Sequence, residues 1–110
     1  MKTTSAMKRV MIFIDETDRF GDKQLAAALV ERMRKEGIAG ATVLHGTTGF
    51  GSHKQIHSTA LLDLAVSLPQ IVIVMDTAEK IQAIMPVLEE MIREGLVVVD
   101  DVEATKFSPR

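Results

Sequence analysis

Three short runs of this chain are apolar at every position, and that lack of alternation limits the folds open to it. Residues 10–14, 71–75 and 96–99 are rich in β-forming side chains. A strand with one face in water alternates apolar and polar residues. Here Val10, Ile12 and Ile14 point one way while Met11 and Phe13 point the other. Ile71, Ile73 and Met75 oppose Val72 and Val74, and Leu96 and Val98 oppose Val97 and Val99. The centre of the sheet is therefore apolar on both faces. Only two helices are legible, enough to cover one face. Leaving the other in water is unfavourable by ~25 cal/mol per Å² of apolar area, so the pattern predicts self-association.

The rest of the chain supplies the order of elements. The acidic turn Asp15-Glu16-Thr17-Asp18 ends the first strand. Phe20-Gly21-Asp22 reads as a turn, with Asp22 placed to cap a helix. Leu25, Ala26, Leu29, Val30 and Met33 form one face of that helix, and Gly37 is its C-cap. Residues 41–45 make a second strand and residues 46–58 a glycine-rich loop. Residues 62–68 alternate and fit either a strand or a short helix. Pro69 marks a bulge or turn before the strand 71–75.

Asp76 and Glu79 make a capping-box-like pair. The helix they open would bury Ile81, Ile84, Met85, Leu88 and Ile92, kink at Pro86 and end at Gly95. A strand follows at 96–99, and Asp100-Asp101 would turn the chain into a last edge strand, 102–107. The order β-α-β-loop-β-α-β predicts an α+β, ferredoxin-like βαββαβ sandwich, an antiparallel sheet with two helices on one face. Residues 1–6 read as a flexible N-terminal tail and 7–110 as a single domain.

Composition narrows the function classes. A chain of 110 residues can bury one sizeable core without disulfides. It has no cysteine, which removes thiolate metal sites and fits a reducing compartment. A net charge of −2 argues against nucleic acid as a partner. No apolar run reaches the ~20 residues of a membrane span, and the first residues lack the apolar centre of a signal peptide. The expected location is cytoplasmic. The seven methionines fall mostly at core spacing and read as packing.

Chemistry concentrates in residues 37–57, which hold five of the seven glycines, all three histidines and Lys54. Gly46, Gly49 and Gly51 can bring bare N–H groups close to an anion. The spacing is neither that of an NTPase phosphate loop nor of a dinucleotide fingerprint. His53, Lys54 and His57 tilt the loop towards an anionic ligand. His45, His53 and His57 could instead ligate a metal, but they make a sparse site, since no acidic or thiol ligand accompanies them. Glu16, after the first strand, is placed to accept hydrogen bonds from a ligand or a neighbouring subunit. No nucleophile–base pair is visible, so an enzyme is not expected.

Taken together, Glu16-x-Asp18-Arg19-Phe20, Gly37-Ile-Ala-Gly40-Ala-Thr-Val43, Gly46-x-x-Gly49-Phe50-Gly51, Ile56-His57 and Leu68-Pro69-x-Ile-Val resemble a prokaryotic family of PII-like proteins. These are related in fold to the PII nitrogen regulators and to CutA1 divalent-cation tolerance proteins. The likeness runs over about residues 8–107. It implies a homotrimer that binds a small anionic effector, an adenine nucleotide, at clefts between subunits. It also implies a regulatory role; no catalytic residue and no resident metal are expected, and the residues expected at the effector are Glu16, His45, Gly46, Gly49, Phe50, Gly51, His53, Lys54 and His57. A loop spanning about 46–59 would engage a membrane transporter or an enzyme. That loop lacks a modifiable tyrosine. The family commonly has a basic residue where Gln55 stands and an arginine where His45 stands, so phosphate would be held with less fixed charge here. The alternative from the same relationship is a CutA1-like divalent-metal protein using the loop histidines.

Overall fold

A computed structural model describes residues 1–51, the backbone of 57–58, and 68–110. Two stretches of apolar sequence become the centre of the sheet: β1 (Lys2–Asp15) and, later in the chain, β7 (Pro69–Asp76). Between them lie a short hairpin of β2 (Arg19–Phe20) and β3 (Lys23–Gln24), helix α1 (Leu25–Lys35), β4 (Gly40–His45), and the short strands β5 (Thr48–Gly49) and β6 (His57–Ser58). Helix α2 (Ala78–Met91) and β8 (Leu96–Phe107) complete the chain. The main sheet has the order β4-β7-β1-β8 with every pair antiparallel. This is the ferredoxin-like α+β arrangement that the sequence predicts.

The core lies between the helices and one sheet face. Val10, Ile12, Ile14, Val72 and Val74 meet Leu25, Leu29 and Met33 of α1 and Ile81, Ile84, Leu88 and Met91 of α2. The opposite face carries rows of side chains in register. Leu44, Ile71, Phe13 and Leu96 make one row; Thr42, Ile73, Met11 and Val98 make the next. No element among the described residues covers them, and Leu96 is 60% exposed and Leu44 47%.

Several local expectations are corrected. The tail at 1–6 is the first half of β1, paired residue for residue with β8 from Lys2↔Phe107 to Ala6↔Glu103. The expected turn at Asp100-Asp101 is absent because each aspartate lies directly opposite a cation. Arg9 donates through Nε (3.2 Å) and Nη2 (2.7 Å) to the Asp100 carboxylate, and Lys8 Nζ lies 2.7 Å from Asp101 Oδ1. Opposite charges across an antiparallel pair stabilise it, so β8 runs straight through. Asp22 caps nothing; it sits in the β2–β3 turn, and the α1 start is fixed by Leu25 N–H donating to Asp18 O.

At α2 the N-cap is Thr77, whose Oγ1 accepts from Lys80 N–H. Buried Asp76 instead accepts from Ala39 N–H (2.9 Å) and Thr77 N–H (2.7 Å), tying the helix start to the α1–β4 link. Helix α2 runs through Pro86 and stops at Met91, four residues before Gly95. Pro69 opens β7 rather than making a bulge. Gly37 does end α1: its φ is +80°, it donates to Arg34 O, and Ile38 N–H reaches Met33 O. The alternating stretch 62–67 lies outside the described residues.

Candidate ligand-binding site

At the end of the sheet, where β1 stops and β7 and β8 begin, four chain segments surround a cavity of about 450 Å³. Phe13, Ile14 and Asp15 arrive from β1, with Asp18 from the turn after it. Gly49, Phe50 and Gly51 come from the glycine-rich segment. Pro69 and Gln70 open β7, and Glu94, Gly95 and Leu96 enter from the link into β8. Phe13 and Leu96 also belong to the uncovered sheet face, so the cavity opens at the edge of that face.

The glycines there have a packing role. A Cβ on Gly46 would stand 2.6 Å from Pro69 Cγ and 3.3 Å from Pro69 O, and one on Gly49 would stand 3.2 Å from the same ring. Gly46 N–H already donates to Pro69 O at 2.8 Å. That donor is spent on the protein and is not offered to an anion, contrary to the expectation from spacing. Gly49 pairs with His57 across the β5–β6 hairpin, which anchors the base of the segment.

Of the residues expected at the site, Gly49, Phe50 and Gly51 line the cavity. His45 lies beside it, with Nδ1 3.5 Å from Gln70 Nε2. The Glu16 backbone N–H donates to Leu68 O, and its side chain is not part of the wall. His53, Lys54 and the side chain of His57 lie outside the described residues. Sequence reasoning missed Gln70. Its signal was a lone amide, two residues before Val72, on the phase of β7 that faces the core; it is only 3% exposed.

The described wall is apolar with three carboxylates, from Asp15, Asp18 and Glu94, and carries no cation. Asp18 is committed to the turn: its Oδ2 accepts from Asp15 N–H at 2.8 Å. Cations appear next door. An adjoining polar cleft of about 340 Å³ shares Asp18 and Glu94 and adds Thr17, Arg19 and Arg93. Neither arginine enters an ion pair among the described residues. No group of three or more metal-ligating side chains forms among the described residues. No helix there is long and apolar enough to cross a membrane.

A ferredoxin-like sheet with one open face and a terminal cavity of this kind defines a PII-like fold, and known proteins bear that out. The chain belongs to the DUF190 family (Uncharacterized ACR, COG1993), whose profile matches residues 7–104. It is 34% identical over 96 residues to a UPF0166 protein of Aquifex aeolicus (strain VF5), spanning 87% of this chain and 90% of that one. In fold it is similar to CPII, a nitrogen regulatory PII-like protein from Thiomonas intermedia K12 solved with ADP, AMP and bicarbonate. The TM-score is 0.66 at 14% identity, covering 93% of this chain and 98% of CPII. It is also similar to the divalent ion tolerance protein CutA1 from Ehrlichia chaffeensis, with TM-score 0.59, 11% identity and coverage of 87% and 80%. At these identities the structural likenesses establish the fold.

Proposed function

We propose that this protein is a cytoplasmic, PII-like regulatory protein, a homotrimer that binds an adenine nucleotide at its subunit boundaries and signals to a partner protein. The observation that carries the reading is the position of the cavity. Its size falls in the range of small-molecule sites. Phe13 and Leu96 are shared between its wall and the open apolar face. A second subunit docked on that face would complete the site, so that ligand and assembly become linked. The fold neighbour CPII, solved with ADP and AMP, supports the choice of nucleotide.

The charge distribution suits a nucleotide held by its two ends. The base occupies the apolar cavity, and the phosphates extend into the neighbouring cleft towards Arg19 and Arg93. Arginine forks suit phosphate oxygens. In this assignment guanidinium groups, rather than glycine N–H groups, hold the phosphates. The role is binding and involves no chemical step on the ligand.

The test is calorimetry with AMP, ADP and ATP on the intact protein, with light scattering for the number of chains. Micromolar binding of at least one nucleotide, weakened tenfold or more in Arg19→Ala or Arg93→Ala, is expected, along with a mass of three chains. No binding at millimolar nucleotide, or a monomer at micromolar protein, overturns the reading.

A further inference from the structure

A nucleotide has three parts in a fixed order, and the walls of the two adjoining clefts follow that order. Phe13, Phe50 and Leu96 make one end apolar. Arg19 and Arg93 make the other end cationic. Carboxylates lie between: Asp18 and Glu94 border both clefts, and Asp15 lines the apolar one. A carboxylate accepts hydrogen bonds, donates none and repels phosphate. It therefore fits the sugar, whose polar groups are neutral hydroxyl donors.

Asp15 is the last residue of β1 and pairs with Pro69. It lies on the strand phase of Met11 and Phe13, away from the core, and is half-buried. Its main chain is locked on both sides. The Asp15 N–H donates to Asp18 Oδ2 at 2.8 Å, and its carbonyl accepts from Asp18 N–H at 3.0 Å. The next N–H, of Glu16, donates to Leu68 O at 2.9 Å. None of these bonds uses the Asp15 carboxylate, which enters no other hydrogen bond or ion pair among the described residues. A fixed main chain thus holds an uncommitted acceptor on the cavity wall, next to a carboxylate that borders both clefts.

We infer that the Asp15 carboxylate accepts hydrogen bonds from the ribose hydroxyls of the nucleotide and makes the site specific for ribonucleotides. The two oxygens of one carboxylate match two vicinal hydroxyls, and hydrogen bonds to an ionised acceptor are the strong kind. A sugar without those hydroxyls leaves the carboxylate facing carbon. Sites built to hydrogen-bond a hydroxyl reject the analogue that lacks it. The same negative charge keeps phosphate off this stretch of wall, so the phosphates lie towards Arg19 and Arg93. Asp18 acts as a positioning residue by fixing the Asp15 main chain. This assignment rests on the nucleotide reading above and adds the group that reads the sugar.

AMP and ADP, each compared with its dideoxy analogue, isolate the effect, since base and phosphates are kept and only the two ribose hydroxyls are lost. Calorimetric titration is carried out on the full chain, on Asp15→Ala, which removes the acceptor, and on Asp15→Asn, which keeps the size and loses the charge. Circular dichroism checks that each variant is folded. The unsubstituted protein is expected to bind the ribonucleotide at least tenfold more tightly than the dideoxy form. That ratio falls to near one in Asp15→Ala through weaker ribonucleotide binding, with dideoxy affinity maintained, and takes an intermediate value in Asp15→Asn. Equal affinities for the two sugars in the unsubstituted protein, or an unchanged ratio in a folded variant, overturn the role of Asp15 and leave the nucleotide site standing. Binding of no nucleotide removes the nucleotide reading and this assignment with it.

Discussion

The two faces of the four-stranded sheet are built from the same residue types, yet they meet opposite surroundings. On the inner face Val10, Ile12, Val72 and Val74 are fully buried under α1 and α2. On the outer face Met11, Phe13, Ile71, Ile73 and Val98 form an equally apolar surface with nothing above it among the described residues. The inner face holds one chain together. In the proposed homotrimer the outer face holds that chain to another. Because β1 is central and contributes to both faces, that assembly would write folding and association into alternate residues of a single strand.

The sharpest way to break this comparison is to place the same charge on each face. Ile12→Asp buries an unpaired carboxylate in the core, and a loss exceeding about 4 kcal/mol is expected, comparable to the whole stability of a small domain. Circular dichroism should show an unfolded or insoluble chain. Ile73→Asp should leave the secondary structure intact and lower the light-scattering mass to that of one chain. A folded, assembled Ile73→Asp protein would show that the outer face is not the interface.

A smaller effect is expected where the two faces meet. Gly46→Val forces a side chain into Pro69, and overpacking of this kind costs about 1–3 kcal/mol. Urea unfolding should register that loss, with nucleotide affinity falling as the Pro69 side of the cavity shifts. Wild-type stability in this variant would mean the contact relaxes freely.

The smallest effect lies on the solvent side of α1. Glu31 is held below the usual carboxylate range, first by a hydrogen bond from Lys23 (2.9 Å), then by its charge, with Lys35 adding less. A lowered folded value means the pair stabilises the protein above the unfolded carboxylate range. The contribution is lost as pH falls through that range towards the folded value. The difference in melting temperature between wild type and Glu31→Gln should therefore be present at pH 7 and shrink on acidification, and salt should shrink it too. A difference that grows in acid would contradict the ion pair.

The sheet, its two-sided apolar character and both helices were legible because periodicity reports burial directly. What the sequence concealed depended on partners far along the chain. Asp100-Asp101 looks like a turn until Arg9 and Lys8 are seen opposite it. Residues 2–6 look loose until Thr4 Oγ1 is placed 2.9 Å from Thr105 Oγ1. The glycine spacing reads as an anion loop, whereas in the structure Gly46 and Gly49 make room for Pro69. Gln70 escaped notice because a single amide in an apolar run carries no periodic signal.

The pairing of Lys2 with Phe107 also brings the two ends of the chain together. The Met1 amino group donates to Ser108 O at 2.6 Å, and Ser108 N–H returns a bond to Met1 O at 2.9 Å. The 14 residues of β1, at about 3.3 Å each, put ~45 Å between this clasp and the cavity. The backbone is thus nearly a ring, and a few added residues would join its ends without bending either strand. A reporter or tether attached at either terminus emerges at one shared point, remote from the cavity.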